Sequence, residues 1–231
     1  SKHGGNRLDI ALRRFAGEEV GCDVQDALAS VIIKLVLDRG ASAFGYSGAN
    51  LKQNMGDPLI RRAMVNVLEG IARYGVRRPF TSVAPFLVVW NFTKLCNLKC
   101  RHCYENAGSR AMEGELTTEE AKRVIDEFED AGVVAIAFSG GEPLMRKDLF
   151  EVVGYAKNKG FYTSIATNGT LITAEVAKKM KEVFEYAEIS LDGFEEAHDR
   201  FRGVPGSWKR TCEGIKNCVV EGIDTCVALT A

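Results

Sequence analysis

The sequence has no apolar run long enough to cross a bilayer. The longest, over residues 31–37, is interrupted by Lys34 and falls far short of the roughly 20 residues a spanning helix needs. The opening SKHGGNRLDIALRRF has no apolar stretch of the signal-peptide kind, so a cytoplasmic protein is expected. An excess of one charge is also missing. Thirty Lys and Arg stand against 31 Asp and Glu, a net charge of −1, which gives no general pull toward nucleic acid or an acidic membrane. The seven cysteines do not read as a disulfide framework, which suggests a reducing interior. Hydrophobic content of 46% and charged content of 26% are ordinary, and 231 residues suffice for one sizeable core with a small appendage.

The most informative stretch covers residues 86–105, FLVVWNFTKLCNLKCRHCYE. Residues 86–90 are apolar, aromatic and β-branched behind Pro85, as in a buried strand. The chain then carries Cys96, Cys100 and Cys103 in a Cys-x3-Cys-x2-Cys spacing. Three thiolates within eight residues form a soft-metal site, for an iron–sulfur cluster or for zinc. Glu105 and His102 lie nearby, but a fourth cysteine does not. A metal with an open position can bind a substrate or a cofactor.

From Pro85 onward, strand and helix patterns alternate. Strands are expected at 86–90, 133–139, 161–167, 187–191 and 223–230. Helices are expected from Thr117 or Thr118 to Gly132, over 148–159, from the Thr173 cap, and over 207–221. Such units build an α/β fold with a parallel sheet and helical crossovers, either an open doubly wound sheet or a partial barrel. In both, chemistry gathers at the carboxyl ends of the strands.

Polar motifs recur at those ends. Strand two runs into Gly140-Gly141-Glu142-Pro143, where paired glycines permit close backbone approach and a carboxylate follows. Strand three ends in Thr167-Asn168-Gly169-Thr170 and strand four in Ser190-Leu191-Asp192-Gly193. Each is also an ordinary turn sequence. Cys212, Cys218 and Cys226 read as core thiols.

Taken together, the cysteine loop with Tyr104 after its last cysteine, the GGEP turn and the SLDG turn resemble the radical S-adenosylmethionine (radical SAM) superfamily over residues 84–231. The branch with SPASM or twitch extensions is the most similar. The resemblance implies a partial (β/α)6 TIM-like barrel. It implies that Cys96, Cys100 and Cys103 hold a [4Fe–4S] cluster whose fourth iron chelates S-adenosylmethionine. The reduced cluster would cleave that cofactor to methionine and a 5′-deoxyadenosyl radical, which abstracts hydrogen from a substrate. Ferredoxin or flavodoxin would supply the electron. Gly140, Gly141, Glu142 and Pro143 would contact the methionyl ammonium, and Ser190 the ribose or carboxylate. Asn168, Asp192 and Tyr104 would bind the cofactor from the rim. His102 would bring its backbone near the adenine. Arg202 would either pair with a carboxylate of cofactor or substrate or be an exposed surface arginine. Relatives in this branch modify peptides or make cofactors such as haem, so a peptide, tetrapyrrole or other small molecule is the implied substrate.

Residues 1–80 read as a separate helical unit. Val24, Ala27, Leu28, Val31, Ile32, Leu35 and Val36 recur at helical spacing up to Gly40, and a Gly/Ser/Ala-rich connector follows over 40–50. A second helix starts at Asp57-Pro58 and ends at Gly75. Arg61, Arg62, Arg73, Arg77 and Arg78 make the segment basic. The face is either solvated or docks on anionic lipid or a peptide. A sixth strand is expected of the barrel but lies outside the sequence, so a longer protein or another polypeptide is expected to complete it. Two rivals are a structural zinc or iron–sulfur module and a non-catalytic binding member.

Overall fold

A computed structural model of the chain describes residues 6–43, 48–76, 78–79 and 81–230. Contacts divide the described residues into two compact units, one within 6–86 with 131–134 and one within 87–130 with 135–230.

The first unit is helical: α1 (Arg7–Ala16), α2 (Val24–Ala43), α3 (Gly48–Met55) and α4 (Pro58–Tyr74). The α4 start follows its sequence signal. Asp57 accepts from the Leu59 amide at 2.8 Å, and Pro58 fills the first turn, where a missing N–H costs nothing. Leu12, Met55 and Val65 form the core, with Leu8, Phe15, Ile33, Leu37 and Ile60 packed on it. Two expectations are corrected here. The connector over 40–50 is in part helix, because α2 runs past Gly40 to Ala43 and α3 begins at Gly48; residues 44–47 lie outside the described ones. The stripe read as the packed face of α2 is the open one. Val24, Leu28, Val31, Ile32 and Leu35 are 52–87% exposed, while Ile33 and Leu37 meet the core. The helix carries apolar residues on most sides, so periodicity does not choose its buried face.

Nor is the basic segment one solvated patch. Arg61 is 11% exposed, bonded to Asp9 at 3.0 Å, Glu18 at 3.1 Å and the Met55 carbonyl at 3.1 Å. Arg62 donates to the Val133 carbonyl at 3.3 Å. Arg73 and Arg78 are exposed, and Arg77 lies outside the described residues.

The second unit alternates strand and helix. β1 (Leu87–Thr93), β2 (Ala135–Gly140), β3 (Tyr162–Thr167), β4 (Tyr186–Ser190) and β5 (Asp224–Ala228) are joined by α5 (Thr118–Ala131), α6 (Leu149–Asn158), α7 (Ala174–Val183), α8 (Glu195–Arg202) and α9 (Ser207–Val220). All strand pairs are parallel, in the order β1-β2-β3-β4-β5. That sequential order distinguishes the two closures. An open doubly wound sheet reverses direction at a switch point, whereas a barrel segment adds each strand on the same side. This sheet is a five-stranded barrel segment.

Local sequence explains the elements. Thr117 and Glu120 close a reciprocal capping box before α5: the Glu120 carboxylate accepts from the Thr117 amide at 2.9 Å and the Glu120 amide donates to the Thr117 hydroxyl at 3.3 Å. The Thr173 hydroxyl caps α7 by accepting from the Val176 amide at 3.2 Å. Along the strands, alternate residues face the helices, among them Phe92, Ile136, Phe138, Ile165 and Ile189, all at most 3% exposed. The opposite face bears small and polar residues: Ala137 and Ser139, Ser164 and Ala166, Glu188 and Ser190, then Cys226 and Ala228. Small residues there leave room inside the curve of the sheet.

Candidate functional site

The cysteine loop is tied down at its root. As β1 ends, the Thr93 hydroxyl and the Lys94 amide donate to the Glu115 carboxylate at 3.0 and 2.8 Å. The Cys96 amide donates to the Gly108 carbonyl at 2.7 Å, and the Gly108 amide returns to Lys94 at 3.0 Å, which closes the loop into a ring. A second tie runs to the end of α8: the Lys99 amide donates to the Arg202 carbonyl at 2.9 Å and Arg101 to Phe201 at 3.0 Å. The His102 ring stacks on Phe201 with centroids 4.3 Å apart.

The paired glycines after β2 serve this loop first. A Cβ on Gly140 would lie 2.4 Å from the Thr93 carbonyl oxygen, and one on Gly141 2.4 Å from that of Leu95. Gly140 also has φ +116°, a region where side chains are strained. The Gly141 and Glu142 amides donate to those same carbonyls at 2.6 and 2.7 Å. Strand two therefore grips the base of the cysteine loop backbone to backbone.

Thiols, glycines and strand ends line one cavity of about 260 Å³. Of the residues expected at a site, Cys96, Cys100, Cys103, Tyr104, Gly140, Gly141, Asn168 and Ser190 are on its wall. Cys96 is buried and Cys100 half-buried, and burial pushes both thiols up; the Arg202 guanidinium opposes the rise at Cys100. Asn168 links the loop to β3, its side-chain Nδ2 donating to Asn97 at 2.9 Å while its Oδ1 accepts from the Thr170 amide and hydroxyl at 2.9 and 2.7 Å. The same Nδ2 is 4.0 Å from the Cys96 sulfur. Tyr104 is 73% exposed at the rim.

Three expected residues stand elsewhere. Glu142 is fully buried behind the wall. Its carboxylate accepts from the Thr167 hydroxyl at 2.8 Å and from the Asn168 and Leu144 amides at 2.8 and 3.1 Å, so it braces the ends of β2 and β3 instead of facing the cavity. Pro143 opens the 3-10 turn Pro143–Met145 behind it. Asp192 is buried beside the cavity, accepting from Arg202 Nε at 2.6 Å and from the Thr230 amide at 2.8 Å. It holds Arg202, which does line the cavity.

Sequence reasoning passed over Glu188, Asn97 and Glu115. Glu188 lines the cavity from mid-strand β4, two residues before Ser190 and thus on the same face. Strand alternation from Ser190 was a signal for it; nothing comparable marked Glu115, which approaches Thr93 from a turn 22 residues away.

Among known proteins, the family model described as the radical SAM superfamily matches residues 90–231. The chain is 52% identical over 138 residues to Fe-coproporphyrin III synthase of Methanosarcina barkeri, covering 59% of this chain and 35% of the relative. It is 45% identical over 131 residues to AdoMet-dependent heme synthase of Nitratidesulfovibrio vulgaris, covering 56% and 36%. It is 38% identical over 141 residues to mycofactocin maturase MftC of Mycobacterium tuberculosis, covering 60% and 36%. The match thus spans about a third of the length of these curated relatives. The crystal structure of Streptococcus suis SuiB bound to S-adenosylmethionine has a similar fold, with a TM-score of 0.61 at 16% identity over 95% of this chain and 48% of that one. No helix among the described residues is long and apolar enough to cross a membrane. On the matched residues, the chain belongs to the radical SAM superfamily, a family of enzymes that use a [4Fe–4S] cluster and S-adenosylmethionine.

Proposed function

We propose that residues 84–231 are the cluster- and cofactor-binding part of a radical SAM enzyme that acts on a tetrapyrrole. The observation that carries the first half is the meeting of Cys96, Cys100 and Cys103 on one cavity wall with the Gly140–Gly141 backbone, Asn168 and Ser190. The donor set suits a cluster. Three soft thiolates would each hold one iron of a [4Fe–4S] cluster, which needs no convergence on a single point. Among the described residues no three His, Cys, Asp or Glu side chains converge on a single point. Tetrapyrrole as substrate class rests on the higher identity to the Fe-coproporphyrin III and heme synthases than to the peptide maturase.

Cys96, Cys100 and Cys103 would hold the cluster, which when bound and reduced, by ferredoxin or flavodoxin as donor, would supply the electron for cleavage of S-adenosylmethionine. The protein's part is positioning. The ring closed by Cys96 and Gly108 and the ties to Arg202 and Phe201 hold the thiols in place. Ser190, Asn168 and the half-buried backbone of Gly140 and Gly141 offer hydroxyl, amide and carbonyl groups to the cofactor. Glu142 and Asp192 act from behind the wall, bracing the strand ends and Arg202.

Anaerobic reconstitution followed by low-temperature electron paramagnetic resonance (EPR) tests this reading. A [4Fe–4S]+ signal that changes shape on adding S-adenosylmethionine is expected. A tetrapyrrole from a panel of iron-bearing and iron-free precursors, iron coproporphyrin among them, should then stimulate 5′-deoxyadenosine release by the full-length enzyme. One zinc per chain and no response to the cofactor would overturn the enzyme reading; stimulation by a peptide alone would overturn the tetrapyrrole.

A further inference from the structure

Arg202 closes α8, and its backbone and side chain both address the cysteine loop. Its carbonyl accepts from the Lys99 amide at 2.9 Å, and its Nη1 lies 3.7 Å from the Cys100 sulfur, within reach of an N–H···S bond. The approach is enforced by the next residue. Gly203 has φ +74°, and a Cβ there would sit 2.4 Å from the Lys99 carbonyl oxygen. The guanidinium has little freedom to leave. It is buried, and Asp192, itself buried and anchored by the Thr230 amide, holds Nε at 2.6 Å. Among the described residues no other arginine or lysine lines this cavity.

A fixed cation against a ligating sulfur has a direct consequence for a redox cluster. Reduction adds one negative charge, and both a hydrogen bond to the sulfur and a nearby positive charge favour the reduced form. Asp192 tempers the charge but stands on the far side of the guanidinium, bonded to Nε and not to the sulfur. We propose that Arg202, positioned by Asp192, raises the reduction potential of a cluster held by Cys100, making it reducible by a biological one-electron donor. This rests on the three cysteines binding that cluster, and it gives Arg202 a role distinct from pairing with a cofactor or substrate carboxylate.

The test measures potential in the absence of S-adenosylmethionine, so that carboxylate pairing cannot contribute. Wild type and the double variant Asp192→Asn/Arg202→Gln are reconstituted anaerobically, matched for iron and sulfide, and poised with titanium(III) citrate and mediators under EPR. The double variant leaves no buried unpaired charge. Its reduction equilibrium is expected to fall about tenfold or more, which is about 59 mV for a one-electron couple. Arg202→Lys keeps a charge but cannot both hold Asp192 and reach the sulfur. It is expected to fall about threefold, between the other two, and decides the matter alone if the double variant does not fold.

A wild-type chain that takes up no cluster overturns the functional reading itself. With a wild-type cluster present, unchanged potentials in the variants overturn the inference. So do unchanged potentials with weakened S-adenosylmethionine binding, which would assign Arg202 to the cofactor. A double variant that folds but takes up no cluster reduces the pair to a structural role and overturns it as well.

Discussion

The Glu142 carboxylate accepts a hydrogen bond from the Thr167 hydroxyl at 2.8 Å, joining the end of β2 to the end of β3 with no exposure to solvent. Two further donors are the Asn168 and Leu144 amides, and among the described residues no cation is a partner. An acidic side chain in a motif expected to face a cofactor is thus spent on holding the strand ends together.

Glu142→Ala should destabilise the second unit by about 2–4 kcal/mol, because the buried Asn168 amide and Thr167 hydroxyl lose their acceptor and a cavity remains. Glu142→Gln should cost less, since its carbonyl oxygen can still accept from some of the donors. Urea denaturation of both variants measures the difference.

The same residue gives a pH dependence. Burial raises the Glu142 pKa above its ordinary 4.5, and the hydrogen bonds only partly offset this. Between the ordinary and the raised value the folded state holds more protons than the unfolded one, so this group's contribution to stability falls as pH rises through that window. Relative to wild type, Glu142→Gln should therefore gain stability with rising pH across the window and level off above it. Paired urea titrations over a pH series would show a flat difference if the carboxylate is not perturbed.

Gly140→Ala and Gly141→Ala each force a Cβ to 2.4 Å from a carbonyl oxygen of the cysteine-loop root. Backbone, not a flexible side chain, must move. Each should cost about 3 kcal/mol or more, and both should lose iron after reconstitution even where the chain still folds. Melting temperature and iron per chain report the two effects separately.

Asn66, fully buried in the first unit, donates to the Ala84 and Gly132 carbonyls at 3.1 and 2.9 Å. Asn66→Ala should cost about 2–3 kcal/mol by leaving both carbonyls without a donor, and Asn66→Asp more, since it sets a carboxylate against two carbonyl oxygens. Thermal melts rank the two variants.

Cys218 is fully buried, and desolvation pushes its thiol up to about 11, whereas Cys226 is exposed. Brief maleimide labelling of the native chain near pH 8 should modify Cys226 and spare Cys218 until denaturant is added. Peptide mass spectrometry reads both sites, and equal labelling would show that the α9 core is open.

Much of the second unit was legible because its signals are local. Thr117 with Glu120, and Thr173, are caps with short-range partners, and β-branched runs between turn formers mark buried strands. Observed boundaries lie within a few residues of the expected ones. The helix α8 was not foreseen: EEAHDRFR is charged almost throughout and turns only His198 and Arg202 inward. Helices α1 and α3 were missed for a similar reason, being short segments next to glycines and polar residues.

By itself the sequence determined the element order, the parallel α/β class, the three-cysteine loop and the placement of polar motifs at strand ends, since these depend on periodicity and spacing along the chain. Only the tertiary structure decided which motif residues reach the cavity. Glu142 turns inward because two donors at the end of β3, Thr167 and Asn168, and the Leu144 amide of its own turn converge on it. Asp192 reaches the cavity only through Arg202. The α2 face that sequence would bury stays open because burial is a property of what packs against a helix, and no spacing rule encodes a neighbour.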